Sequence, residues 1–187
     1  MNANLFSTIW PQSQLLHKAV LVGLGVVLLA ISAKVQVPFW PVPMTLQTLV
    51  VLMIGATSGA RLAGATLLSY LAAGAMGFPV FASGSGLSYM VGPTGGYLAG
   101  FFFAAVVIGY LADKGHGRTI ASALTLLAIG EVVIFALGVG WLAMIIGAEK
   151  AVAVGLMPFV PAEILKVALG TAILSVAWKN HLHRRLH

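Results

Sequence analysis

The stretch TIASALTLLAIGEVVIFALGVGWL, residues 119–142, decides the fold. It carries a single charge, Glu131, in a run long enough to span the roughly 30 Å hydrocarbon core of a bilayer as a helix. Only a helix lets one segment pair all of its backbone polar groups where water is absent. Working outward, five further segments have the same character: 18–33, 43–58, 61–76, 95–111 and 161–179. The second and third are short and share a tight Ser58-Gly59-Ala60 turn, so one of them is alternatively re-entrant or steeply tilted. The reading adopted is an all-α polytopic membrane protein, a six-transmembrane-helix bundle forming one membrane-embedded domain over residues 1–187. Composition agrees: of 187 residues 60% are hydrophobic and 7% charged, where a soluble domain has about a quarter charged.

The net charge of +6 does not point to nucleic acid, because the basic residues stand singly at the ends of apolar runs. With both termini cytoplasmic, the inner side holds Lys18, Arg61, Lys114, Arg118, Lys179, Arg184 and Arg185, and the outer side only Lys34 and Lys150. Pro38, Pro41, Pro43, Pro79, Pro93, Pro158 and Pro161 then all lie outside, in long, nearly uncharged connections rich in Gly and aromatic residues. Irregular backbone at membrane depth is tolerated where it lines a cavity, so a cavity opening outward is expected. Trp40 and Trp141 fall near the outer interface and Trp10 and Trp178 near the inner one. No Ala-x-Ala pattern follows the first apolar run, which therefore reads as a span and not a cleaved leader. The basic, His-rich tail, with His181, His183 and His187, reads as a segment that meets anionic membrane lipids or water.

Three features carry chemistry. Glu163 and Lys166 lie at i,i+3 on one face of the last span, begun by Pro161. Either charge alone in hydrocarbon costs about 2.5–3.5 kcal/mol, so the two are expected to face inward and lean on each other. They act as a packing ion pair or as the binding site for a polar ligand head. Second, the outer loop GFPVFASGSGLSYMVGPTGGY, residues 77–97, is either a compact cap or a ligand wall whose N–H groups and hydroxyls bind. It is not a phosphate loop, since no GxxxxGK[ST] occurs in the chain. Third, Glu131 at the middle of its span is a candidate for proton coupling or ligand contact, or a protonated carboxyl bonded to a neighbouring helix. The spacing Ala19-x-x-x-Gly23 offers a flat face to another membrane helix. Cysteine is absent, all five histidines lie outside the spans, and no metal site is expected. Intramembrane proteolysis and a conducting pore are both disfavoured, the latter by the uniformly apolar inner half of the spans.

Taken together, VPFWPVPMTLQT (37–48), GFPVF (77–81), GPTGGY (92–97) and PAEILK (161–166) resemble the BioY family of biotin transporters over nearly the whole chain. The family's last motif has Asp where this chain has Glu163, one methylene longer, which alters hydrogen-bond geometry more than substrate choice. The resemblance implies a biotin-specific S component of an energy-coupling factor (ECF) transporter in the bacterial cytoplasmic membrane, capturing biotin at the outer face. An S component for another vitamin, such as thiamine or riboflavin, is the alternative. It implies Glu163 and Lys166 as polar contacts of the ligand, Ser83 and Tyr89 as further ones, and a wall or lid running from Trp40 to Gln47. No catalytic residue is expected. The chain has no cofactor of its own, and ATP is used by two partner ATPases that act with a transmembrane coupling subunit docked at Ala19 and Gly23. Solitary action without a dedicated module is also compatible with the sequence.

Overall fold

The computed structural model describes residues 15–185, with side chains to residue 180. The expectations for Trp10, for the tail histidines and arginines, and for the side on which each terminus lies fall outside it. Seven helices are described: α1 (Leu15–Lys34), α2 (Gln47–Ala75), α3 (Gly86–Met90), α4 (Gly95–Asp113), α5 (Ile120–Ile146), α6 (Ala148–Gly155) and α7 (Val160–Arg185). A short antiparallel ladder, β1 (Gln36–Val37) with β2 (Met44–Thr45), pairs Gln36 with Thr45 and Val37 with Met44. The all-helical expectation therefore holds apart from this pair, which ties down the proline-rich turn of residues 38–43.

Among the described residues, five helices are long and apolar enough to cross a membrane: α1, α2, α4, α5 and α7. The expected second and third spans lie together in α2. That element is not straight, because Gly59 at its middle has φ +78° and ψ 167°, outside helical geometry. A straight helix rising 1.5 Å per residue would separate Gln47 from Tyr70 by about 35 Å. Instead the Gln47 Nε2 donates to the Tyr70 hydroxyl at 2.7 Å, so α2 folds back on itself at Gly59. Only glycine takes that positive φ without a Cβ clash. The returning half starts with the Ala60 N–H donating to Asp113 Oδ2 at 3.0 Å. That carboxylate, at the far end of α4, satisfies one of the helix-start donors.

The helix α4 stands at the centre, packed against both halves of α2 on one side and α5 on the other. Glycines permit this closeness. A Cβ on Gly100 would lie 2.9 Å from the Ile134 backbone, and one on Gly96 would run into the Trp141 side chain, the small-residue packing typical between membrane helices. The core threads through Leu52, Leu67, Ile108, Leu127 and Ile134, all fully or almost fully buried. Outward-facing Leu16, Val20, Leu24 and Ile31 on α1, and Leu165, Leu169 and Val176 on α7, are exposed. Apolar surface that extensive suits lipid and not water. Trp178 is buried, with the Arg118 guanidinium 5.1 Å from its ring centroid.

The bundle has two distinct ends. Gly59, Asp113 and the 114–118 turn mark one, while β1, β2, α3 and the starts of α4 and α7 gather at the other. The site lies at the second.

Candidate ligand-binding site

Three segments bring polar groups together. The start of α7 supplies Glu163 and Lys166, β2 supplies Thr45, and the first turn of α2 supplies Gln47 and Thr48. Lys166 Nζ donates to Glu163 Oε1 at 2.8 Å, to Thr48 Oγ1 at 2.9 Å and to the Thr45 carbonyl at 2.6 Å. Thr48 in turn donates to Glu163 Oε2 at 2.7 Å. Its one hydroxyl thus accepts from the cation and donates to the anion. An ammonium has three protons, and all three are used within the protein. Glu163, 6% exposed, is held by a donor on each carboxylate oxygen.

Glu163, Thr45, Gln47 and Thr48 line an inner cavity of about 40 Å³. Its opposite walls are aromatic: Tyr89, Tyr97, Phe101, Phe135 and Phe159. Tyr97, Phe135 and Phe159 form a cluster, Tyr97 edge-on to Phe135 at 5.9 Å and stacked on Phe159 at 6.4 Å. The Tyr97 hydroxyl is anchored on the Gly155 carbonyl at 2.7 Å. Tyr89 stacks on the buried Phe81 at 5.2 Å. An outer cleft of about 360 Å³ lies beyond, walled by Phe39, Trp40, Ser83 and Ser88. Pro43, Tyr89 and Thr94 line both spaces. The outer volume is of the order found for small-molecule sites, and the inner one supplies the few convergent polar groups such sites place against apolar walls.

The residues singled out from sequence divide accordingly. Glu163, Gln47 and Tyr89 line the inner cavity. Lys166, the other expected ligand contact, stands behind Glu163 and is not among the residues that line it. Trp40, 83% exposed, and Ser83 line the outer cleft. Ala19 and Gly23 are exposed on α1, and a Cβ on Gly23 would meet nothing within 4 Å. The loop of residues 77–97 is more than a cap, since its α3 carries Tyr89 into the site. Lys34 Nζ also reaches into it, donating to the Phe81 carbonyl at 2.6 Å. Thr45 belongs to the expected wall from Trp40 to Gln47 and Tyr97 to the expected loop wall, whereas Thr48, Phe101, Phe135 and Phe159 were not foreseen. A hydroxyl beside Gln47 at the mouth of an apolar helix was the available signal for Thr48.

Glu131, read from sequence as a candidate for proton coupling or ligand contact or as a carboxyl bonded to a neighbouring helix, is buried in α5. It is 8% exposed, and among the described residues neither carboxyl oxygen has a hydrogen-bond partner. Phe135, one turn further along α5, lines the inner cavity together with Glu163. Among the described residues no group of three His, Cys, Asp or Glu is placed to hold a metal.

The BioY family pattern matches residues 3–183. The chain belongs to the BioY family. Among its relatives, the probable biotin transporter BioY of Pyrococcus horikoshii is 38% identical over 154 residues, covering 82% of this chain and 91% of the relative. The biotin transporter BioY of Thermotoga maritima is 37% identical over 153 residues, covering 81% and 89%. A solved structure of the S-component for biotin from an ECF-type ABC transporter superposes with a TM-score of 0.75 at 20% identity, covering 88% of this chain and 92% of that one. At that identity the likeness speaks for the shared fold. Membership of a family of multi-pass transporters accords with the apolar helices and with the absence of catalytic machinery in the reading above.

Proposed function

We propose that this BioY-family protein captures biotin at the outer face of a bacterial cytoplasmic membrane and delivers it as the S component of an ECF transporter. The observation that carries the reading is Glu163, a carboxylate fixed by Lys166 and Thr48, aimed into a cavity whose other walls are aromatic. The biotin ureido ring presents two N–H donors, which suit an anionic acceptor. The ring cluster of Tyr97, Phe135 and Phe159 offers an apolar surface for the bicyclic body. The valeryl chain would lead toward the cleft of Trp40 and Ser83. Lys166 neutralises Glu163 from behind and is the cation nearest to a polar ligand head.

The fold-back of α2 supports six crossings, two of them supplied by its halves, with both termini cytoplasmic. In that topology the Gly59 and Asp113 end faces inward and the cavity outward. The chain has no nucleotide-binding motif of its own, so ATP would be hydrolysed by two partner ATPases acting through a membrane-spanning coupling subunit. The exposed Ala19 and Gly23 strip on α1 is the proposed docking face, and solitary action is the alternative. Titrating the purified full chain in detergent with biotin, thiamine and riboflavin tests the substrate. Saturable binding of biotin alone is expected, and binding of another vitamin in its place would overturn the assignment.

A further inference from the structure

Glu131 lies one helical turn before Phe135, a wall of the inner cavity. It is more than nine-tenths buried, with both oxygens unpartnered among the described residues. Glu163, on α7, lines the same cavity as Phe135 and is bonded to Lys166, one turn further along α7. Among the described residues, the other elements packed on α5 bring the following groups. Helix α4 brings Tyr97, whose hydroxyl is engaged with Gly155, and at its far end Tyr110, Asp113 and the following Lys114. Helix α2 brings Gln47 and Thr48, both engaged with other side chains, and Arg61 beyond the Gly59 turn. Helix α6 brings Glu149 and Lys150, both exposed.

The cluster therefore contains two carboxyl groups and one ammonium. Lys166 is bonded to Glu163, and Thr48 donates to that same carboxylate, so Glu163 is the member built to be the anion. A second carboxylate beside it would leave an unbalanced negative charge in the low-dielectric interior, which is strongly disfavoured. We propose that Glu131 is the proton-binding residue of the ligand site, a positioning residue whose proton keeps the cluster of Glu131, Glu163 and Lys166 neutral and without which ligand does not bind. With the proton in place, Glu163 keeps its bond to Lys166 and presents an anion to ligand N–H groups. Without it, Glu131 competes for the one ammonium, and the excess charge repels Glu163 and any acidic ligand. The inference rests on the cavity being the biotin site.

The test exploits a chain with four Asp and Glu side chains. Of the other three, Asp113 caps Ala60, Glu149 is exposed and Glu163 is ion-paired. Infrared spectra of the full chain in detergent, titrated from neutral to alkaline pH, should show the carbonyl stretch of a protonated carboxyl at neutrality, lost on titration and absent from E131Q. No such band in the parent, or the same band in E131Q, overturns the proposal. In parallel, biotin titrations of the parent should weaken toward tenfold per pH unit beyond the midpoint at which the band disappears. E131Q, neutral at every pH, should show no such fall and should bind more tightly than the parent at the alkaline end. Equal pH dependence in both proteins overturns it. If E131Q fails to fold, coincidence of the two parent midpoints decides, and separate midpoints refute. If biotin binds neither protein at any pH, the biotin reading fails, and the infrared band alone decides where the proton sits.

Discussion

Thr48 shows how much a single hydroxyl can hold together. It sits between Lys166 and Glu163, 115 residues from the carboxylate to which it donates. Replacing it by the isosteric valine leaves each charge short of one partner at a cost of about 1–3 kcal/mol. T48V should therefore lower biotin affinity about tenfold in a titration, with a fall in thermal midpoint on the same preparation. Removing a charge is more severe, because the partner remains buried and unpaired at about 3–5 kcal/mol. E163A and K166A should each weaken biotin binding by more than about 100-fold. Binding within twofold of the parent would make the pair a packing device only. The i,i+3 spacing of Glu163 and Lys166 is local, so sequence exposes it, along with the requirement that buried charges pair. Thr48, Tyr97, Phe135 and Phe159 reach the site only through the tertiary fold, and no local periodicity marks them. Lys166 makes the same point from the other direction. Its charge was legible, whereas its orientation, with every proton turned toward protein acceptors, depends on β2 and α2 being where they are.

Among the elements, α2 carries most of the architecture. Its reversal was legible as Ser58-Gly59-Ala60 between two apolar runs, because a glycine flanked by small residues is where a helix can take a positive φ. The partner that fixes the reversal, Asp113, was not, since it comes from the end of α4. G59A forces a Cβ into φ +78°, costing about 1–2 kcal/mol, and D113A removes a helix-start acceptor, costing about 1 kcal/mol. Both should lower the thermal unfolding midpoint in detergent. Combined they should sum to less than their separate effects, because they act on the same turn. Strict additivity would indicate that the Ala60 bond does not support it. The short α3, α6 and the two-residue ladder were not legible from periodicity, as each is shorter than the window over which an apolar period can be counted. They form the end that holds the site, so the part of the fold hardest to read is the part that shapes the cavity.

For the whole molecule, two predictions separate the ends of the bundle and then connect them. The chain has no cysteine, and His116 and Lys150 are exposed near opposite ends. In intact cells an impermeant thiol reagent should label K150C and spare H116C until the membrane is opened. The reverse pattern would invert the protein and turn the cavity to the cytoplasm. The second prediction concerns the proposed docking of a coupling subunit, through which the proposed partner ATPases would reach a binding cavity at the opposite end. Helix α1 presents Ala19 and Gly23 on an exposed strip, and the open space at Gly23 lets a second helix approach to backbone distance there. A leucine at Gly23 fits the bundle without a clash but keeps any partner helix away. G23L should thus leave biotin binding to the purified chain within about twofold of the parent, a change of less than about 0.5 kcal/mol. Biotin uptake by cells that also carry the coupling subunit and ATPases should be lost. If the strip meets only lipid, uptake by G23L equals that of the parent, because one more apolar side chain in hydrocarbon changes nothing that transport depends on. If both binding and uptake fall together, the substitution has disturbed the bundle itself, and a docking role for this face is rejected.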